Sequence, residues 1–226
     1  MGRAGDFDNL RSRLSDYDSK GLEIPTVDSW EDNLHALIDA IPQNSVLIGY
    51  SMGARLALGI SLLANNQSIG LVLISGNPGL EFDAERKERW QADQDWANRM
   101  EIESKASFLH DWYEQTVFSH TPFAIRSDEI MRKSNYGSAA WPKVMRVNSV
   151  AKQPNYWPEI ENLSMPVLAV AGEADEKYAK IAVRCVERSR SPLSRVEIFN
   201  ECGHIVHHEQ PEKLANSIRD YLTCLR

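Results

Sequence analysis

The chain has 226 residues and a mass of 25.6 kDa, enough for one domain, or one domain with an insertion, around a full hydrophobic core. Lys plus Arg number 25 against 32 Asp plus Glu, a net charge of −7 without any basic run. That balance argues against a nucleic-acid or anionic-membrane partner, but not against a small anion held by a few cations in one cleft.

No apolar stretch nears the roughly 18–20 residues that cross a bilayer, and the N-terminal segment has no apolar leader. Cys185, Cys202 and Cys224 are an odd number without metal-ligand spacing, so no disulfide framework or metal site is expected. The composition reads as a soluble cytoplasmic protein with reduced thiols.

In chain order, Ser45-Val-Leu-Ile-Gly-Tyr50 is a short, nearly continuous apolar run, the pattern of a strand buried on both faces of a parallel sheet. Met52 to Ala64 follows with Leu56, Leu58, Ile60, Leu62 and Leu63 among good helix formers, and Ile69 to Ser75 repeats the strand pattern. Strand–helix–strand forces parallel pairing with a right-handed crossover. Residues 77–160 contain no comparable strand. Trp90, Trp96, Phe108, Trp112 and Tyr113 recur there among charges, which predicts amphipathic helices inserted over the C-terminal edge of the sheet. The strand pattern returns at Pro166–Gly172 and Arg195–Phe199, with helices predicted at Tyr178–Ser189 and Glu209–Leu225. The expected architecture is α/β: a mostly parallel sheet with helices on both faces, residues 1–76 and 161–226 forming the core and 77–160 a helical cap.

Gly49-Tyr50-Ser51-Met52-Gly53 matches G-x-S-x-G between a predicted strand and a predicted helix. A serine there occupies a strained turn that wants little bulk two residues before and after, and its hydroxyl sits beside free N–H groups at a helix N-terminus. A hydroxyl needs a base, and the base needs an orienting carboxylate, in the chain order Ser, acid, His. Asp175 follows one strand and His204 the next, both at the edge that carries Ser51. Glu173 and Glu176 are rival acids, and His207 and His208 rival bases. The bland alternative leaves Asp175 as a helix cap and His204 as a loop residue. Arg55, one helical turn after Ser51, is either a carboxylate clamp or half of a core ion pair, and spacing does not choose.

Longer motifs carry a family resemblance. Tyr50-Ser-Met-Gly-Ala-Arg-Leu-Ala-Leu58, Ser75-Gly-Asn-Pro-Gly-Leu80, Arg86 to Trp96, Asp111 to Phe118, Met131 to Gly137 and Gly172-Glu-Ala-Asp-Glu176 resemble the 2-succinyl-6-hydroxy-2,4-cyclohexadiene-1-carboxylate synthases (MenH family) of menaquinone biosynthesis. These have the α/β-hydrolase fold but act as lyases, eliminating pyruvate from a cyclohexene tricarboxylate. The resemblance implies Ser51, Asp175 and His204 as a triad abstracting a ring proton, Met52 N–H as an oxyanion donor and Tyr50 as a substrate contact. It also implies Arg55, Arg89 and Arg132 on the substrate carboxylates, with Trp112 lining the pocket, and no metal or organic cofactor. Several guanidinium groups suit such a substrate, since arginine pairs carboxylates bidentately. A carboxylesterase or thioesterase using the same triad, and a silent relic, are the competing readings.

The resemblance begins mid-motif. Met1-Gly-Arg-Ala-Gly-Asp-Phe7 aligns directly after the family's Leu-His-Gly-Phe strand end, and the strand usual between Gly21–Pro25 and Ser45–Tyr50 has no counterpart. The N-terminal strands are thus expected to be missing, and with them the second oxyanion donor, a loss worth about 10²–10³ in rate. The expectation is that Met1 is an internal residue of a longer natural chain.

Overall fold

Four strands form where the buried apolar runs place them: Ser45–Tyr50 (β1), Ser68–Ile74 (β2), Val167–Gly172 (β3) and Arg195–Phe199 (β4). The computed structural model describes residues 2–64 and 67–225, so Met1 lies outside it. The strands pair in the order β1-β2-β3-β4, all parallel. Tyr50 lies beside Ile74, Ile74 beside Val170 and Gly172 beside Phe199, so all four chain exits emerge along one edge.

Past Ile69 the central strands are apolar and buried because each face meets a helix layer. Leu71, Leu73, Val167, Ala169 and Ala171 face one core cluster, while Val72, Ile74, Leu168 and Val170 face the other. The first cluster packs under Trp30–Ile38 (α2), Met52–Leu63 (α3) and Glu176–Arg188 (α8). The second packs under Asp8–Arg13 (α1) and Pro211–Cys224 (α10), whose Leu214, Ala215, Ile218 and Tyr221 are fully buried. Helices α1 and α2 add to the expected elements, and the Ser29 hydroxyl caps α2 by accepting from the Asp32 N–H.

β1 departs from its expected burial. Only Gly49 in it is buried, because β1 is a sheet edge and no strand precedes it among the described residues. The last helix also differs: a short turn, Val206–Glu209 (α9), precedes α10, with the break at Gln210 before Pro211. Proline favours the first helical turn, so it starts α10 afresh.

Between β2 and β3 lie Asp83–Ile102 (α4), Lys105–Tyr113 (α5), Phe123–Ser134 (α6) and Trp141–Val147 (α7), with no strand. Phe108, Leu109, Tyr113, Phe118 and Trp141 form a separate apolar cluster that meets the core through Ile205, just after His204. Packing rejoins the main core at Tyr156, Trp157 and Ile160, a few residues before the predicted boundary.

Candidate active site

Ser51 sits between β1 and α3 with φ +49° and ψ −108°, a conformation that an L-residue holds only under strain of order 1–3 kcal/mol. Its N–H donates to the Ile74 carbonyl at 2.8 Å, tying the turn to β2. Gly49 is indispensable to this turn, since a Cβ there would stand 2.3 Å from the Gly53 carbonyl oxygen. Gly53 departs from expectation: a Cβ at that position meets nothing within 4 Å. Met52 opens α3, so its N–H lacks an intrahelical acceptor.

The structure brings Ser51, His204 and Asp175 together. His204 Nε2 lies 3.3 Å from Ser51 Oγ, and its Nδ1 lies 2.6 Å from Asp175 Oδ2. Both partners are buried, and the Asp175 side chain caps no helix N–H, which removes the capping alternative. The rivals point elsewhere. Glu173 and Glu176 are exposed, His207 stacks on Phe7 and packs tilted against Tyr50, and His208 pairs with Glu129 at 3.2 Å.

Residues the sequence did not single out hold this arrangement. Gly172 lets the acid turn meet the histidine loop, because a Cβ there would lie 2.2 Å from the Cys202 and Gly203 carbonyl oxygens. Glu209 turns back to accept from Gly203 N–H at 2.6 Å and Ile205 N–H at 3.0 Å, bracketing His204. Ser75 Oγ donates to the His204 carbonyl at 3.1 Å, and the Tyr178 ring packs edge-on against the imidazole. Gly172 and Ser75 open two of the family motifs, though neither motif says what they meet, and Glu209 and Tyr178 have no sequence signature of their own.

A cavity of about 770 Å³ opens at Ser51, lined by Tyr50, Met52, Arg55, Arg89 and Trp112, and continues along the outer edge of β1. Trp112 is held by Trp96 and Phe108. Arg89 pairs through Nε with Asp93 Oδ1 at 2.9 Å, and that carboxylate offsets the burial that would lower the guanidinium's pKa. Arg55 is not half of a core ion pair. Its Nη1 donates to Gln153 Oε1 at 2.9 Å and its Nη2 to the Asn148 carbonyl at 2.6 Å, both neutral.

Arg132 corrects the expectation. Its guanidinium is engaged by Asp6 and Glu129 and does not line the cavity. The cause is a buried ionic cluster in which Glu129 also meets Lys133, His208 and the Tyr113 hydroxyl. Burial alone would raise the Glu129 carboxyl, but His208, Lys133 and Arg132 hold it well below the usual range.

This region carries a pH prediction. Burial, reinforced by charge on His208, pushes His207 well below its ordinary 6.5. The folded chain therefore keeps His207 neutral, whereas the unfolded chain takes up a proton as pH falls through about 6.5. Stability is full above that pH and declines below it, and Glu129 adds a further loss below about 4.5 as the unfolded carboxylate protonates. Thermal melts between pH 8 and 5 will show a smaller acid decline for His207→Gln than for the unsubstituted chain.

A parallel sheet with a strained serine turn, a histidine and a carboxylate at successive strand exits defines the α/β-hydrolase class. The family model described as "Alpha/beta hydrolase family" matches residues 5–217. A Bacillus subtilis protein provisionally named 2-succinyl-6-hydroxy-2,4-cyclohexadiene-1-carboxylate synthase is 31% identical over 85% of this chain and 71% of its own length. The Arabidopsis thaliana protein PHYLLO is 32% identical over 94% of this chain, which spans 13% of that much longer protein. The structure of MenH from S. aureus superposes with a TM-score of 0.87 at 22% identity, covering 99% of this chain and 90% of that one. The chain belongs to the α/β-hydrolase family and, within it, to the 2-succinyl-6-hydroxy-2,4-cyclohexadiene-1-carboxylate synthases, MenH.

Proposed function

We propose that this chain eliminates pyruvate from 2-succinyl-5-enolpyruvyl-6-hydroxy-3-cyclohexene-1-carboxylate, giving 2-succinyl-6-hydroxy-2,4-cyclohexadiene-1-carboxylate for menaquinone biosynthesis. The observation that carries this reading is the Ser51–His204–Asp175 chain of contacts opening onto a cavity that Arg55 and Arg89 help to line.

The ring hydrogen beside the succinyl ketone is the acidic one, because its loss places charge on the ketone oxygen. His204 Nε2 accepts the Ser51 proton, and Ser51 Oγ removes that hydrogen. Asp175 fixes the imidazole's orientation and stabilises its cation. The Met52 N–H donates to the developing oxyanion. The released electron pair shifts through the ring, the carbon–oxygen bond to the enolpyruvyl group breaks, and the departing enolpyruvate takes up the proton held on His204 and tautomerises to pyruvate, which returns the triad to its starting state. Arg55 and Arg89 hold the substrate's carboxylates, while Tyr50 and Trp112 shape the pocket. Arg132, committed to Asp6 and Glu129, stands outside this set. Residues 77–160 act as the cap that carries Arg89 and Trp112 over the sheet edge.

A lactate dehydrogenase-coupled assay with the pathway substrate tests the reading. Pyruvate release is expected. Hydrolysis of p-nitrophenyl esters without any pyruvate release overturns it in favour of an esterase. Arg89→Ala will raise KM about tenfold or more with kcat little changed, because a carboxylate contact is worth about 1.5–3 kcal/mol. A kcat/KM within about twofold of the parent removes Arg89 from the carboxylate set.

A further inference from the structure

Arg55 is a buried cation whose fixed partners are both uncharged. Among the described residues its direct partners are both neutral, and of the charges near it Arg89 repels it and Asp93 attracts it from beyond direct contact. Burial, with that repulsion, lowers its pKa to about 10, so it stays charged at neutral pH. One acceptor is the Asn148 backbone, held in turn by a bond from Asn33 Nδ2 to Asn148 Oδ1 at 3.0 Å. The other is Gln153, which is 0% exposed.

Gln153 is locked at both ends. Its Nε2 donates to the Asn77 carbonyl at 3.1 Å, and its own carbonyl accepts from Arg86 Nη1 at 2.8 Å. The amide has one workable orientation: reversed, it would set two donors against a guanidinium and an oxygen against a carbonyl. Gln153 Oε1 therefore faces Arg55 by necessity. Gln153 does not line the cavity, and Arg55 does.

We infer that Gln153 is a positioning residue, which aims the Arg55 guanidinium into the cavity while leaving its positive charge unspent for a substrate carboxylate. This rests on the pyruvate-elimination reading of the same site. An apolar side chain at 153 would leave Nη1 without an acceptor. A carboxylate would accept the same bond but complete an ion pair and cancel the charge the substrate needs. An amide of this length does the first task without the second.

The decisive variant is Gln153→Glu, which keeps the shape and the bond accepted from Arg55 Nη1 but exchanges the donor facing the Asn77 carbonyl for an oxygen. KM for the pathway substrate will rise about tenfold or more and kcat will stay within about threefold, while the lost bond to the Asn77 carbonyl lowers the melting temperature, so the KM-against-kcat split is the readout. A residue that merely fills space or accepts a bond would leave KM unchanged in this variant, and that result overturns the inference. Gln153→Met, which removes the acceptor without adding charge, provides the second arm: both melting temperature and affinity will fall, and a parent-like KM likewise overturns it.

Succinate, titrated by calorimetry against the parent and both variants, gives a readout free of turnover. Weaker binding by Gln153→Glu supports the inference. Equal binding, or none by the parent, defeats it. Absence of pyruvate release by the parent defeats the functional reading instead, and the succinate comparison still decides the role of Gln153.

Discussion

Ser51→Ala will reduce pyruvate release by about 10³-fold or more while leaving succinate affinity within a few-fold of the parent. The size follows from the chemistry: without the hydroxyl, no atom of the chain stands between His204 Nε2 and the ring hydrogen, and positioned general-base catalysis is worth about 10²–10⁴. Binding is expected to survive because the proposed carboxylate contacts are Arg55 and Arg89, which line the cavity, and not the serine. The effect should appear in kcat with little change in KM, the mark of an interaction used only in the transition state. Retention of a tenth of the parent rate would move the proton-abstracting role away from Ser51.

Gly49→Ala is expected to carry the largest stability cost of any single methyl addition near the site. The new Cβ would stand 2.3 Å from the Gly53 carbonyl oxygen and 2.5 Å from the Ala54 nitrogen. All of these are backbone atoms of α3's first turn, so no side chain can rotate away. The helix must shift from β1, which costs about 3 kcal/mol or more, or roughly 6–12 °C in melting temperature for a chain of this size. Gly53→Ala is the matched control. With open space around its Cβ and helical backbone, it should be neutral or stabilise by up to about 1 kcal/mol. Differential scanning of the two variants checks this, and equal melting temperatures would contradict the geometry.

These two glycines mark what the five-residue motif conveys. G-x-S-x-G presents them as equivalent, yet only Gly49 is required by crowding, because whether a Cβ collides depends on the neighbouring chain. Arg132 teaches the same lesson from the other side. Its motif context implies a substrate contact, but Asp6, 126 residues away, shares its guanidinium with Glu129. Glu209 read as the start of the last helix, and instead its carboxylate folds back beneath the histidine loop. Helix α2 passed unread because its apolar face is short, although Ser29 caps it in the usual way.

The parallel sheet, the serine turn and the order of acid and histidine were legible in the chain because buried strands, helix periodicity and a tight turn each constrain a few consecutive residues. Only the tertiary structure showed which carboxylate meets the imidazole, that Arg55 rests on neutral acceptors, and that Arg89 and Arg132 are paired with carboxylates. Those outcomes depend on burial and mostly on partners distant in the chain, where a cation's effect is set by what else shares its low-dielectric surroundings and not by its neighbours in sequence.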